Sequence, residues 1–357
     1  MILALLGCTG GDANRYQSYL LNEGGGYRLG PREIRSLADP ERMRGALGDA
    51  YAGGVLRIDF NTYEISYEEG RELQVQYVVD GGVAKPLDRD GLILFSFYGH
   101  MQDARDTLGD AGVDINEIFP VSIGVTPALP QLGLALMPVE NAAYAPSANA
   151  FILLDDLEDR EVPLAANAGV VTHELGHGVF HLLSAGDPYA PKAFDVLGGA
   201  THGVSSLDEG FADMLAGLIT GDPAFISASL AMPERDLSGD QTSVEVPDAG
   251  VPLPENSEDV TFYDPYPLGS VFAAVTWDIY EATGDRDGTL VLIAATVEEW
   301  AAREVDAQDG LTPEEQRLTA YRWLGVLVEL GDAQQSAAAC ESIGWRFADH
   351  LEVEACQ

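Results

Sequence analysis

One short segment constrains this chain more than any other. His173-Glu174-Leu175-Gly176-His177 sits inside an apolar run from Ala165 to Leu183. Val170, Val171, Leu175, Val179, Leu182 and Leu183 surround its three polar side chains. The pattern predicts a buried helix stopped by Gly186 and Pro188. Two imidazoles and a carboxylate in such a helix are costly unless something satisfies them. Residues four apart share a helix face, so both imidazoles can converge on one metal at ~2.0–2.1 Å. Glu174 flanks that point and can take a proton from an attacking water.

A catalytic zinc usually has three protein ligands, so a third is expected. His181 fails on geometry, because it lies about 12 Å along the axis from His173. The metzincin spacing needs Gly at 180 and His at 183, where this chain has Phe180 and Leu183. His202, in a Gly-rich stretch, is a lesser candidate. The best is Glu209, at the start of the helix pattern Leu207–Leu218, with Asp213 four residues on and sharing its face. Glu209 can bind the metal while Asp213, and beside it Asp208, accept from the ligand imidazoles and fix their tautomers.

The rest of the chain divides near residue 165. Residues 9–54 read as a tether and loosely packed lead-in, and residues 55–164 as a β-rich lobe. Strands are expected at Val55–Phe60, Leu73–Val78, Leu92–Phe97, Val121–Val125 and Ala150–Leu154, with one helix over Tyr98–Leu108. Residues 165–357 read as helical. After a long loop over 233–262 come helices at Gly269–Ala282, Thr289–Arg303 and Pro313–Leu330, the last with Thr312 as its N-cap.

These residues carry a resemblance. His173-Glu174-x-x-His177 followed by Glu209-x-x-x-Asp213 is similar to the gluzincin pattern of thermolysin-like and fungalysin-like metallopeptidases. Asn141-Ala142-Ala143-Tyr144 resembles the Asn-Ala-aromatic edge strand that binds substrate backbone in those enzymes. The resemblance covers roughly residues 95–285. It implies an α+β fold with a β-rich N-terminal lobe, a helical C-terminal lobe and one zinc in the cleft between them. It further implies Glu174 as base, Glu209 as third ligand, and Asn141 and Ala142 as peptide-binding residues. Two departures stand out: the 32-residue gap from His177 to Glu209, and the lack of the family's oxyanion-stabilising His. Tyr266 lies where that His would align and can donate from its phenol, with Tyr263 in reserve.

The activity implied is zinc-dependent hydrolysis of peptide bonds, as an endopeptidase. An aminopeptidase on the same core and a zinc-binding, non-hydrolytic surface protein that binds peptide or protein are the alternatives. Charge bears on partners. Nineteen basic against 58 acidic residues leave −39, with only two lysines, Lys85 and Lys192. Such a surface repels phosphate, which excludes nucleic acid as an expected partner and disfavours direct adsorption to anionic lipid. Leu5-Leu6-Gly7-Cys8 resembles the lipobox of bacterial lipoproteins. Residues 1–8 are then the signal, Cys8 the acylated residue and membrane attachment only through that anchor, which places the chain outside the cytoplasm in the bacterial envelope. Cys340 and Cys356 can close one disulfide of about fifteen residues. Calcium is weighed at two acidic loops, 155–159 and 285–288, but neither matches an EF-hand.

Overall fold

The computed structural model describes residues 14–58, 65–128, 142–154, 160–186, 202–243, 251–252, 261–262, 264–304, 313–347 and 353–356. Cys8, Asn141, Tyr263, Thr312 and the 155–159 loop lie outside them. Helix outweighs strand, in a mixed α/β arrangement with no barrel.

The N-terminal part differs from the expected tether. It holds β1 (Arg15–Leu21), β2 (Tyr27–Glu33), β3 (Leu37–Asp39), β4 (Arg44–Gly45) and β5 (Gly48–Ile58). Ile34, Leu37, Met43, Leu47 and Ala50 are buried there. Strands β6 (Ile65–Glu72), β7 (Tyr77–Asp80) and β8 (Val83–Pro86) follow, so the Leu73–Val78 strand is corrected to a connection with β7 at its end. β2-β1-β8-β7 form one sheet. A larger sheet runs β10-β11-β9-β5-β4-β3, with β6 also paired to β5 and with β9 (Val121–Val125), β10 (Ala142–Ala145) and β11 (Ala150–Leu153).

A helix, α1 (Arg89–Ala111), replaces the strand expected at Leu92–Phe97. Asp88 caps it by accepting from the Gly91 N–H at 2.8 Å. Its apolar run is buried on two sides. Phe95 meets Tyr16 of the smaller sheet, ring centroids 4.9 Å apart, and Phe97 meets Phe151 of the larger at 5.2 Å. An unbroken apolar run suits a strand or a fully buried helix equally, and here the sheets on both sides select the helix.

The later helices are α2 (Ala168–Ala185), α3 (His202–Thr220), α4 (Tyr266–Thr283), α5 (Arg286–Glu304), α6 (Pro313–Leu330) and α7 (Ala333–Arg346). α7 was not expected. It opens on a capping box, Asp332 with Gln335, and Cys340 on it is disulfide-bonded to Cys356. Asp285 in the second acidic loop caps α5, accepting from the Gly288 N–H at 2.9 Å. Close helix contacts set the spacing around α3. A Cβ on Gly176 of α2 would come within 2.7 Å of the Ala212 Cα, and one on Gly210 within 2.5 Å of the Gly269 carbonyl oxygen of α4.

Candidate metal centre

α2 presents His173 and His177 one turn apart, as expected, and α3 lies against that face. α3 begins seven residues before Glu209, so Glu209 is mid-helix rather than in a first turn. His202 opens α3, about two turns from Glu209.

His173 Nε2 is 3.3 Å from Glu209 Oε2, and His177 Nε2 is 3.7 Å from the same oxygen. Tetrahedral ligands at ~2.0–2.1 Å from one ion stand about 3.3 Å apart. The other ring nitrogens are engaged. His173 Nδ1 is 2.8 Å from Asp213 Oδ1, and His177 Nδ1 is 2.9 Å from Asp208 Oδ1. An ionised carboxylate only accepts, so each Nδ1 donates and each Nε2 is free to face Glu209 as a ligand.

Glu209 Oε2 is buried and makes no hydrogen bond of normal geometry among the described residues. A buried carboxylate oxygen left this way is costly. One cation at the point shared by the two Nε2 atoms and Oε2 would satisfy all three, and the ligand atoms lie within 4.8 Å of one another. Two imidazole nitrogens and one carboxylate oxygen form a donor set that suits zinc.

Electrostatics follow from burial and pairing. Burial alone would depress His173, but the carboxylates of Asp213, to which its Nδ1 donates, and of Glu209 raise it to about 10. His177 is likewise raised against burial, by Asp208 and Glu209. Burial opposes ionisation of Glu209, yet the two histidines hold its carboxyl below the usual range. Glu174 goes the other way. Burial raises it, with His173 and His177 pulling back only in part.

Glu174 is aimed from a neighbouring strand. Its Oε2 accepts the Tyr144 N–H at 2.8 Å. Tyr144 is on β10, an edge strand paired only with β11 among the described residues. In an antiparallel strand, backbone groups of residues i and i+2 point to the same side. The N–H and C=O of Ala142 therefore share with the Tyr144 N–H the edge that faces away from β11.

Sequence reasoning missed Arg235 and Phe225. Arg235, on a short turn after α3, is 5% exposed. It donates to Asp213 through Nε at 3.2 Å and also through Nη2. Nη2 lies 3.2 Å from His173 Nδ1, both donors meeting on Asp213 Oδ1. Burial would raise the Asp213 carboxyl, but Arg235 and then His173 hold it below the usual range. The guanidinium lies 4.7 Å from the Tyr266 ring centroid and 5.5 Å from that of Phe225. Phe225 in turn stacks on His173 at 6.3 Å. Tyr266, the first residue of α4, thus belongs to the site and is 37% exposed. Desolvation of its phenol, then the Glu209 charge, push its pKa up, so it stays protonated.

No protein-family model matches this chain, and no curated protein matches it.

Proposed function

We propose that this chain is a zinc-dependent endopeptidase of the thermolysin-like kind, with a β-rich and a helical lobe on either side of the site. The observation that carries the reading is Glu209 Oε2, buried with no hydrogen bond of normal geometry among the described residues and facing two imidazole Nε2 atoms. His173, His177 and Glu209 would hold the ion. Zinc bound there supplies a Lewis acid that polarises a carbonyl and makes water a better nucleophile near neutral pH.

The chain's own residues do the rest. Glu174, its basicity raised by burial, takes the proton of the attacking water and delivers it to the leaving amine. The Tyr144 N–H fixes that carboxylate in place. Ala142, with Asn141 before it, offers its edge to an extended peptide, which adds as a strand. Tyr266 donates its phenolic hydrogen to the oxygen on which charge develops. Asp213 and Asp208 keep the tautomers that leave both Nε2 atoms as ligands.

The Cys340–Cys356 disulfide supports an oxidising compartment, in keeping with an envelope location and the Cys8 anchor. The test is cleavage of a peptide blocked at both ends, with zinc measured on the same sample. Cleavage at an internal bond that stops on zinc removal is expected. Release of only the first residue from the unblocked peptide would turn the assignment to an aminopeptidase. Bound zinc with no cleavage of any peptide or protein would turn it to a binding protein.

A further inference from the structure

A second buried polar cluster lies at the N-terminal end of α2, and the chemistry above does not use it. His100, on α1, is 3% exposed. Its Nδ1 is 3.1 Å from Arg32 Nη1. A guanidinium has no acceptor, so Nδ1 accepts and the ring carries its proton on Nε2. Nε2 is itself buried and makes no hydrogen bond of normal geometry among the described residues. The backbone groups that face the ring are those of Ala166 and Tyr19. Arg32 lies directly over Gly99, where a Cβ would come within 2.6 Å of its Cδ.

Ala166 adjoins the cap of α2. Asn167 Oδ1 accepts from the Gly169 N–H at 2.8 Å and from Tyr27 Oη at 2.9 Å. Tyr27 Oη also accepts the Ala168 N–H at 2.7 Å. The Tyr27 ring stands edge-on to His100, centroids 6.3 Å apart. Asn167 Nδ2 donates to Ser229 Oγ at 2.9 Å. The first turn of α2 is therefore held by Tyr27 and Asn167, and the His100 ring, paired with Arg32, touches this cap through the Tyr27 ring and the Ala166 backbone. The charged and titratable groups around it are Arg32 and Tyr27 from β2, Asp103 from α1, 3.4 Å from Arg32, and Asp222 after α3, which faces Tyr27.

We propose that His100 against Arg32 is an acid-operated latch on the helix that carries His173 and His177. Protonation of the ring releases Arg32, and with it the grip of Tyr27 and Asn167 on the first turn of α2. A proton taken up at Nδ1 removes the acceptor that faces Arg32 and sets two cations side by side. Burial first, and Arg32 second, keep the latched ring well below the usual imidazole range. The released ring titrates near the ordinary ~6.5. The latched state is therefore lost as pH falls below that value, about tenfold per unit for one proton. In acid the metal-site helix loosens from its N-terminal end, and near neutral pH it is locked. This inference stands apart from the peptidase reading, because its readout is helix opening rather than hydrolysis.

The experiment is amide hydrogen exchange on the full chain between about pH 7.5 and pH 4.5, corrected for intrinsic rates. Residues Ala168–Thr172 are compared with α6. Below about pH 6.5 the first turn of α2 opens some tenfold more per pH unit, before α6 responds. His100→Asn, which offers Arg32 an acceptor that does not titrate, gives a flat profile. The same profile in both proteins, or simultaneous loss in α2 and α6, would overturn the latch. Should His100→Asn fail to fold, nuclear magnetic resonance titration of the wild-type ring decides. Ring protonation is expected to track α2 opening, and a ring that titrates while α2 stays protected overturns the proposal.

Discussion

Arg235 grips Asp213 side-on, through Nε at 3.2 Å and through Nη2, and both residues are buried. Asp213 in turn accepts from His173 Nδ1 at 2.8 Å. Removing the guanidinium leaves a buried carboxylate with only the imidazole to balance it. Arg235→Met should cost about 3–5 kcal/mol in chemical unfolding. Zinc affinity should fall about 10- to 100-fold, as when a ligand's outer hydrogen-bond partner is lost. Unchanged zinc affinity in a folded Arg235→Met protein would separate this ion pair from the metal site.

Proton competition sets the pH dependence of metal binding. His173, raised to about 10, is protonated near neutral pH in the metal-free protein. The raised value contributes stability that is fully present below the unfolded ~6.5 and is lost as pH rises through about 10. The metal-free protein should lose thermal stability between about pH 7 and pH 10 relative to the zinc-loaded one. Zinc binding displaces that proton, so affinity should rise up to about tenfold per pH unit in this window. Chelator competition and calorimetry in buffers of different ionisation enthalpy measure both.

Helix spacing around Glu209 leaves no room for a methyl group. Gly210→Ala would drive a Cβ to 2.5 Å from a backbone oxygen of α4. It should destabilise by about 1–3 kcal/mol and weaken zinc binding, because Glu209 adjoins it. Gly325→Ala, on α6 with nothing within 4 Å of its Cβ, should stabilise by about 0.5–1 kcal/mol. Opposite signs in parallel denaturant titrations are the expected result.

Tyr266→Phe keeps the ring over Arg235 and removes only the phenolic oxygen. If that oxygen donates to the developing oxyanion, kcat should fall about 100-fold with little change in KM. Equal rates in the two proteins would remove Tyr266 from the chemistry.

The charge of −39 should act on substrate encounter. The kcat/KM for a peptide flanked by lysines should exceed that of its glutamate-flanked counterpart at low salt. The difference should collapse as ionic strength shortens the ~10 Å screening length.

The legible part of this molecule was local. That His173 and His177 share one face of α2 follows from helical spacing alone, and that Glu209 and Asp213 share a face follows from the same rule on α3. Arg235 was invisible because it comes from an irregular Pro- and Asp-rich stretch, where no periodicity marks a buried cation. A base among so many acids was the available signal, and by itself it does not say which carboxylate it serves. The segment 92–97 misled because an apolar run has no period. Asp88, three residues before Gly91, was the helix-start signal to weigh against it. Strands β1 to β4, and β5 before Val55, hid behind glycines and charges; β2, for one, is largely open to solvent, which blurs alternation. α7 hid in an Ala-, Gln- and Ser-rich sequence whose capping box, Asp332 with Gln335, was its clearest mark.

The most direct test of the account compares wild type with Glu174→Gln, each carrying the same measured zinc, on casein. The account predicts hydrolysis by the wild type and loss of about 100-fold or more in the variant, as for removal of a general base. Equal hydrolysis by both would contradict the role of Glu174, and absence of zinc from both would contradict the metal centre itself.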